Sequence, residues 1–560
     1  MFSFLKTKKE ILLLIILAGV FCWVYSFLPL AQLKDKNVPL PELTWRFNTP
    51  DEVINFYFTD LYASQQQLFY EEPLNLLTGG TIFPRWAKPA GERITPGTFQ
   101  GIILIYGNLA RVVGRAAIPF LTPFLAVLGV IVFYFLIKEF FIQRVALVAA
   151  LLMFIFPGFW YYASRTLFHN VLFLVCLLSG LLFFIKVIKT DLRGLENRSI
   201  QIRRFILAIL TGLFFGLALI TRTSEVVWVA LVVLIILLIL KPRMNNFWLP
   251  ALVGLVVGAL CFLPVFHNNK ILYGSYFSFG YTTSVATDLE DISSARPLGL
   301  VQALLLPFGF HPLNIARVFY HYFLKLFWPW LILWAWGLIW FLKTKPNKEQ
   351  KLFMVISLMV SCWLLIYYGS WKFSDNLSGL VSIGSSYVRY FLPSFIFGLP
   401  LAAWVLVKLE RSGWLGKTAL LVVCCWLLVA SWHQVFRGGP EGLIGVKNNL
   451  LIYRQQAAEV LKLTKENDII LVDISQDKII FPERRHIIVP QGGEELKAVP
   501  LLLKMTEIYF FYRAADVNVD FLNEKKFKPY DLEIYEGQKL NGGGILFRVR
   551  EFERKLSVSS

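Results

Sequence analysis

The sequence predicts a polytopic α-helical membrane protein of about eleven transmembrane helices, with a long first external loop and a small C-terminal α/β soluble domain. Three observations carry that expectation. Mean hydropathy is +0.59, with 56% hydrophobic and only 16% charged side chains over 560 residues. Apolar runs long enough to cross a bilayer recur along most of the chain, and clusters of Lys and Arg fall on every second turn between them. An ordinary soluble protein does not have this composition, so most of the chain must lie in lipid.

A bilayer core of about 30 Å needs a helix of roughly 20 apolar residues. Runs that meet this requirement lie at 11–30, 116–137, 145–162, 167–188, 205–221, 225–241, 247–266, 323–342, 352–370, 388–407 and 418–436. The first begins like a signal peptide but lacks a small-x-small cleavage site, so it reads as an uncleaved span.

Charge tests that series, because cytoplasmic turns are rich in Lys and Arg. With Lys6, Lys8 and Lys9 inside, the inside turns carry Lys138 and Arg144; Lys186, Lys189, Arg193, Arg198, Arg203 and Arg204; Lys241 and Arg243; Lys343, Lys345, Lys348 and Lys351; and Lys408, Arg411 and Lys417. The short outside turns carry little beyond Arg165, Arg222 and Lys372. The alternation places the N-terminus in the cytoplasm and the C-terminus outside. The net charge of +18 is thus a topology signal, and nucleic acid is not an expected partner.

Residues 1–436 form the membrane domain on this reading, and two of its outside segments are too long to be turns. Residues 31–115 contain Asp51 and Glu52 at the head of a short amphipathic helix, the stretch FPRWAKPAGERITPG, and an apolar segment, 99–113, too short and polar to span and so expected at the interface. Residues 267–322 contain NNKILYGSYFSFGY and the acidic DLED at 288–291. The tail, 437–560, changes character, with helical spacing over 450–465 and strand-like runs at 468–474, 486–489, 508–513, 532–535 and 545–549. It has no glycine-rich dinucleotide fingerprint.

All six cysteines fall in apolar runs, so no disulfide framework is expected. The six histidines lack metal-ligand spacing. No cofactor is indicated, and a divalent metal has no supporting ligand set. Trp328, Trp330, Trp334 and Trp336 read as an interfacial belt. Asp51 and Glu52 suit a general base at the membrane surface, although helix starts favour acidic residues in any case.

The order of motifs adds a resemblance. PDEVINFYFTDLYA (50–63), TPGTFQGIILIYGNLARVVG (95–114), SRTLFHNVLF (164–173), GLALITRTSEVVW (216–228), NNKILYGSYFSFGY (268–281) and GSSYVRYFLPSF (384–395) follow one another as in the GT-C glycosyltransferases. Within that superfamily the chain is most similar to the branch of the protein O-mannosyltransferases and the lipid A aminoarabinose transferase. Two departures stand out: a His-Pro-Pro element is reduced to Thr95-Pro96, and His169-Asn170 stand where an acidic residue is often found.

The resemblance implies a membrane glycosyltransferase that moves a sugar from a polyprenyl-phosphate donor to a glycan, lipid or protein acceptor at the outer face of the cell membrane. Asp51 would be its catalytic acidic residue, with Glu52 in support. Cations must meet the donor phosphate: Arg85, Lys88, Arg93, Arg165, Arg222, Lys270 and Arg389 are the candidates, Arg222 and Arg389 foremost because they match family positions and sit outside. A transporter or lipid flippase and a polysaccharide polymerase or ligase are the alternative readings. The spans are nearly free of charge, which disfavours a transporter.

Overall fold

The computed structural model describes residues 2–35, 44–192, 198–242, 244–278, 305–372, 381–473, 475–490, 492–514 and 516–552. The acidic DLED at 288–291 lies outside them. In chain order the principal helices are α1 (Phe2–Tyr25), α2 (Phe27–Leu33), α3 (Pro50–Gln65), α4 (Gln100–Val113), α5 (Ile118–Ile137), α6 (Gln143–Ile155), α7 (Pro157–Arg165), α8 (His169–Leu192), α9 (Arg198–Thr221) and α10 (Val226–Leu240). They continue as α11 (Met244–Leu260), α12 (Leu263–Tyr273), α13 (Pro312–Phe319), α14 (Trp328–Lys343), α15 (Lys348–Gly369), α16 (Ser386–Tyr390), α17 (Leu392–Arg411), α18 (Gly413–Arg437), α19 (Leu443–Leu463) and α20 (Asp477–Ile480).

Among the described residues, eight helices are long and apolar enough to cross a membrane, and three bent pairs bring the number to eleven if each is one span. This is a multi-pass membrane protein with eight to eleven candidate spans among the described residues, against the eleven expected. Two of the bends have visible causes. The run expected at 145–162 breaks between α6 and α7 by 53°, where Pro157 ends one helix and starts the next. The run expected from 323 turns by 94° before α14, whose second residue is Pro329. That corner carries Trp330 inward to 1% exposure, with its ring 5.1 Å from Phe156, so it does not stand in an interfacial belt.

The chain divides into two compact units. One comprises Met1–Leu28, Pro119–Phe266 and Asp288–Gly445; the other comprises Pro29–Ile118, His267–Thr287 and Val446–Ser560. In the first, α9 and α11 pack through glycines spaced four apart on both helices, Gly212 and Gly216 against Gly254 and Gly258. A Cβ on Gly212 would sit 2.0 Å from the Gly254 carbonyl oxygen, so only glycine admits this approach. Small residues on both sides let backbones pack where lipid offers no hydrophobic gain.

In the second unit the tail forms a five-stranded sheet from β4 (Ile469–Val472), β5 (Ile487–Ile488), β6 (Ile508–Tyr512), β7 (Leu532–Lys539) and β8 (Ile545–Glu551), in the order β5-β4-β6-β8-β7. The short strands β1 (Tyr70–Glu71), β2 (Ala87–Ala90) and β3 (Arg93–Pro96) form a separate antiparallel sheet in the first loop. β4 runs parallel to β5 and β6, with Ile470 opposite Ile487 and Ile469 opposite Ile508. All four β4 side chains are buried, which is why the strand reads as an unbroken apolar run. The loop completes this domain. Ile82 bridges to Ile488 at the sheet edge and lies at 0% exposure in one core cluster with Leu471, Phe510 and Phe547.

Helix α4, expected at the interface, is too short to span at about 21 Å. It buries Ile102, Ile103, Tyr106 and Ala110, packs against α3 within the same unit, and leaves Val112 and Val113 exposed.

Candidate active site

Helix α3 begins with Pro50, whose fixed φ suits the first helical position. Asp51 follows, half-buried in the first turn. Glu52 is 1% exposed, and its Oε2 accepts from the Thr49 backbone N–H at 3.0 Å and from the Thr49 hydroxyl at 2.9 Å. Glu52, expected beside Asp51 in catalysis, therefore closes a capping box that fixes the start of the helix. One turn on, the buried Asn55 Oδ1 accepts from Thr98 at 2.8 Å, joining the helix to the TPGT stretch. That stretch is also held by Gln100, which donates to Asn269 at 2.8 Å, and by Tyr273, whose hydroxyl donates to the Pro96 carbonyl at 2.8 Å. Motifs far apart in sequence thus meet within one unit.

The basic residues of this unit are differently employed. Arg85 is engaged by Asp477, with its backbone N–H, Nε and Nη2 all donating at 2.7–3.0 Å. Its guanidinium is a structural tie to the tail. Arg93 lies 4.5 Å from the Phe69 ring, Lys88 stands on β2 opposite Thr95, and Lys270 donates to the Gly274 carbonyl at 2.8 Å.

Within the helical unit, three arginines that sequence alone left scattered come together. Arg165 and Arg389 approach the Phe168 ring at 5.4 and 4.7 Å. Arg389 and Arg222 in turn approach the Tyr390 ring at 5.2 and 4.6 Å. The result is a row of three guanidiniums interleaved with two aromatic rings. Arg165 donates to the Tyr161 hydroxyl at 2.6 Å and Arg389 to the Ser386 hydroxyl at 2.9 Å. His169 and Asn170 are buried, and the Asn170 amide donates to the Arg389 carbonyl at 3.1 Å, steadying α16.

Arg222 is set apart by its partners. It donates to Glu225 at 2.8 Å and to the Tyr368 hydroxyl at 2.8 Å, Tyr368 donates to Glu225 at 2.6 Å, and Trp228 donates to the other Glu225 oxygen at 2.5 Å. Its charge is thus met inside the protein. Glu225 stood in the quoted ITRTSEVVW stretch, three residues after Arg222, and that spacing was the available signal. Tyr161 and Tyr162, which tie α7 to Glu441 and to the Gly384 and Ser385 carbonyls, offered none. Among the described residues, no group of three His, Cys, Asp or Glu is gathered to hold a metal.

The fold is similar to that of solved membrane transferase structures, and one family model matches just under half of the chain. Residues 85–361 match the family model described as oligosaccharyl transferase STT3, N-terminal. The structure is similar to the archaeal oligosaccharyltransferase AglB from Archaeoglobus fulgidus in complex with an inhibitory peptide and a dolichol-phosphate, with a TM-score of 0.53 and 13% identity over 91% of this chain and 70% of that one. It is similar as well to ArnT from Cupriavidus metallidurans bound to undecaprenyl phosphate, with a TM-score of 0.52 and 12% identity over 96% of this chain and 97% of that one. No curated protein sequence matches.

Proposed function

We propose that this protein transfers a sugar from a polyprenyl-phosphate-linked donor to an acceptor at the outer face of a cell membrane, with its N-terminus in the cytoplasm. The observation that carries the reading is the pair Arg165 and Arg389, one on each approach to Phe168. In the transfer the acceptor heteroatom bonds to the anomeric carbon, the bond from that carbon to the phosphate oxygen breaks, and polyprenyl phosphate leaves with the electron pair. Two planar guanidiniums suit that leaving group because each can donate to two oxygens of the growing negative charge. Asp51 takes the acceptor's proton as the new bond forms. Arg222 braces the row through Tyr390, its own charge being met by Glu225.

Similarity to AglB in complex with a dolichol-phosphate and to ArnT bound to undecaprenyl phosphate supports a lipid-phosphate donor. The test is transfer by detergent-purified protein from radiolabelled polyprenyl-phosphate sugars. Asp51→Asn lowers transfer to a small residual rate, and Arg165→Gln and Arg389→Gln each raise the donor KM by about tenfold, the loss of one charge-assisted contact. Unchanged transfer by Asp51→Asn would remove the assigned base, and failure of every carrier-linked sugar would remove the enzyme class.

A further inference from the structure

We infer that the tail segment 476–486 clamps the start of α3, and that Lys478 is a positioning residue for Asp51; this rests on Asp51 being the base.

Six side chains of the segment QDKIIFPERRH contact the first loop within the same compact unit. Asp477 holds Arg85. Glu483 accepts from Arg46 Nη2 at 2.8 Å and from the Thr44 backbone N–H and hydroxyl, both at 2.9 Å. The Phe481 ring meets Tyr57 of α3 edge-on at 4.7 Å, and Arg485 lies over Tyr57 and Tyr70 at 5.7 and 5.5 Å. His486 Nδ1 is 2.7 Å from Glu72 Oε2.

Lys478 bonds the backbone three residues before the acid. Its ammonium donates to the Asn48 carbonyl at 2.7 Å while lying 4.9 Å from the Tyr453 ring. Asn449 adds a longer bond to the Asn48 side chain at 3.4 Å. From the Asn48 carbonyl to Asp51 the backbone has little freedom left, since Thr49 is locked by Glu52 and Pro50 has a fixed φ. A helix end frays by itself, and a general base must be held to within about 0.5 Å. The capping box shapes the turn, and Lys478 anchors it to a rigid sheet domain through a charge-assisted bond.

The test uses the full chain. Lys478→Met keeps the aliphatic stem beside Tyr453 and removes the donor; it is expected to lower kcat by about tenfold at unchanged donor KM, since small misplacements of a catalytic group cost one to two orders of magnitude. Lys478→Arg, which restores a cationic donor, recovers most of that loss. Amides of Thr49 and of residues 51–53 exchange faster in Lys478→Met while those of β4 and β6 keep their protection. In an Asp51→Asn background Lys478→Met has no further effect on residual transfer. Should Lys478→Met unfold the tail, Asn449→Ala reports the same effect at smaller amplitude. Wild-type kcat and exchange in Lys478→Met overturn the proposal, as does an equal fractional loss in the Asp51→Asn background. If Asp51→Asn itself transfers normally, the functional reading fails, and exchange at Thr49 and residues 51–53 then judges the clamp alone.

Discussion

Arg222 and Glu225 form an ion pair at 2.7 Å whose side chains are 6% and 5% exposed, and Tyr368 hydrogen-bonds both partners. Removing one member of a buried pair leaves the other charge uncompensated, which costs about 3 kcal/mol. Glu225→Gln keeps the shape and removes the charge. It is expected to lower the melting temperature in detergent clearly, with donor KM little changed in the surviving fraction. A variant that melts like the wild type but binds donor poorly would put Arg222 on the phosphate instead.

Glu52 and Asp51 are separable by the same logic. Glu52→Gln preserves a residue type that serves in a capping box, so transfer is retained, whereas Glu52→Ala loses the cap and about 1 kcal/mol. Thermal melts and transfer rates on the two variants decide this. Complete inactivity of a well-folded Glu52→Gln would return Glu52 to the chemistry.

The contact of α9 with α11 gives a steric prediction. Gly212→Ala drives a methyl into the Gly254 carbonyl and is expected to cost about 1–3 kcal/mol through overpacking. Gly19→Ala, with nothing within 4 Å of its new carbon, is the control and leaves the melting temperature unchanged or slightly higher. Equal melts for the two variants would contradict the packing.

Acid should loosen the second unit. Burial acts to raise the Glu483 carboxyl, but attraction to Arg46 and hydrogen bonds from Arg46 and Thr44 outweigh it and hold the group below its usual range. A carboxyl whose pKa is lowered on folding contributes stability above its unfolded value of about 4.3, and that stability is lost as pH falls through the lowered value. Melting temperature followed from pH 7 downward should therefore fall more steeply at the acid end for the wild type than for Glu483→Gln. Parallel curves would show that the pair is not linked to stability.

Much of this architecture was legible because its signals are local. Long apolar runs and the buried strand IILV each declare themselves within a few residues, whereas the sequence reads through the break at Pro157 as one continuous span. Helix α19 begins at Leu443, seven residues before the spacing suggested, because its first two turns are less regularly patterned. Hidden from the sequence was every relation that depends on distant partners. Nothing near Arg85 announces Asp477, 392 residues on, and nothing near Arg222 announces Tyr368. Glu52 reads as an acid beside Asp51, and the capping box it closes with Thr49 is visible only in the structure. Arg165, Arg222 and Arg389 are each singled out by the sequence, but the rings of Phe168 and Tyr390 that gather them stand unremarked inside its motifs.

Ile82 lies in the core of a domain whose strands begin at Ile469. During synthesis the ribosome delivers Ile82 nearly four hundred residues before the first of those strands. The early segment must therefore wait, unsupported, until the last fifth of the polypeptide has emerged. A chain stopped after residue 437 would still lack the partner for Ile82, so completion of translation is itself a checkpoint on the folding of the first loop.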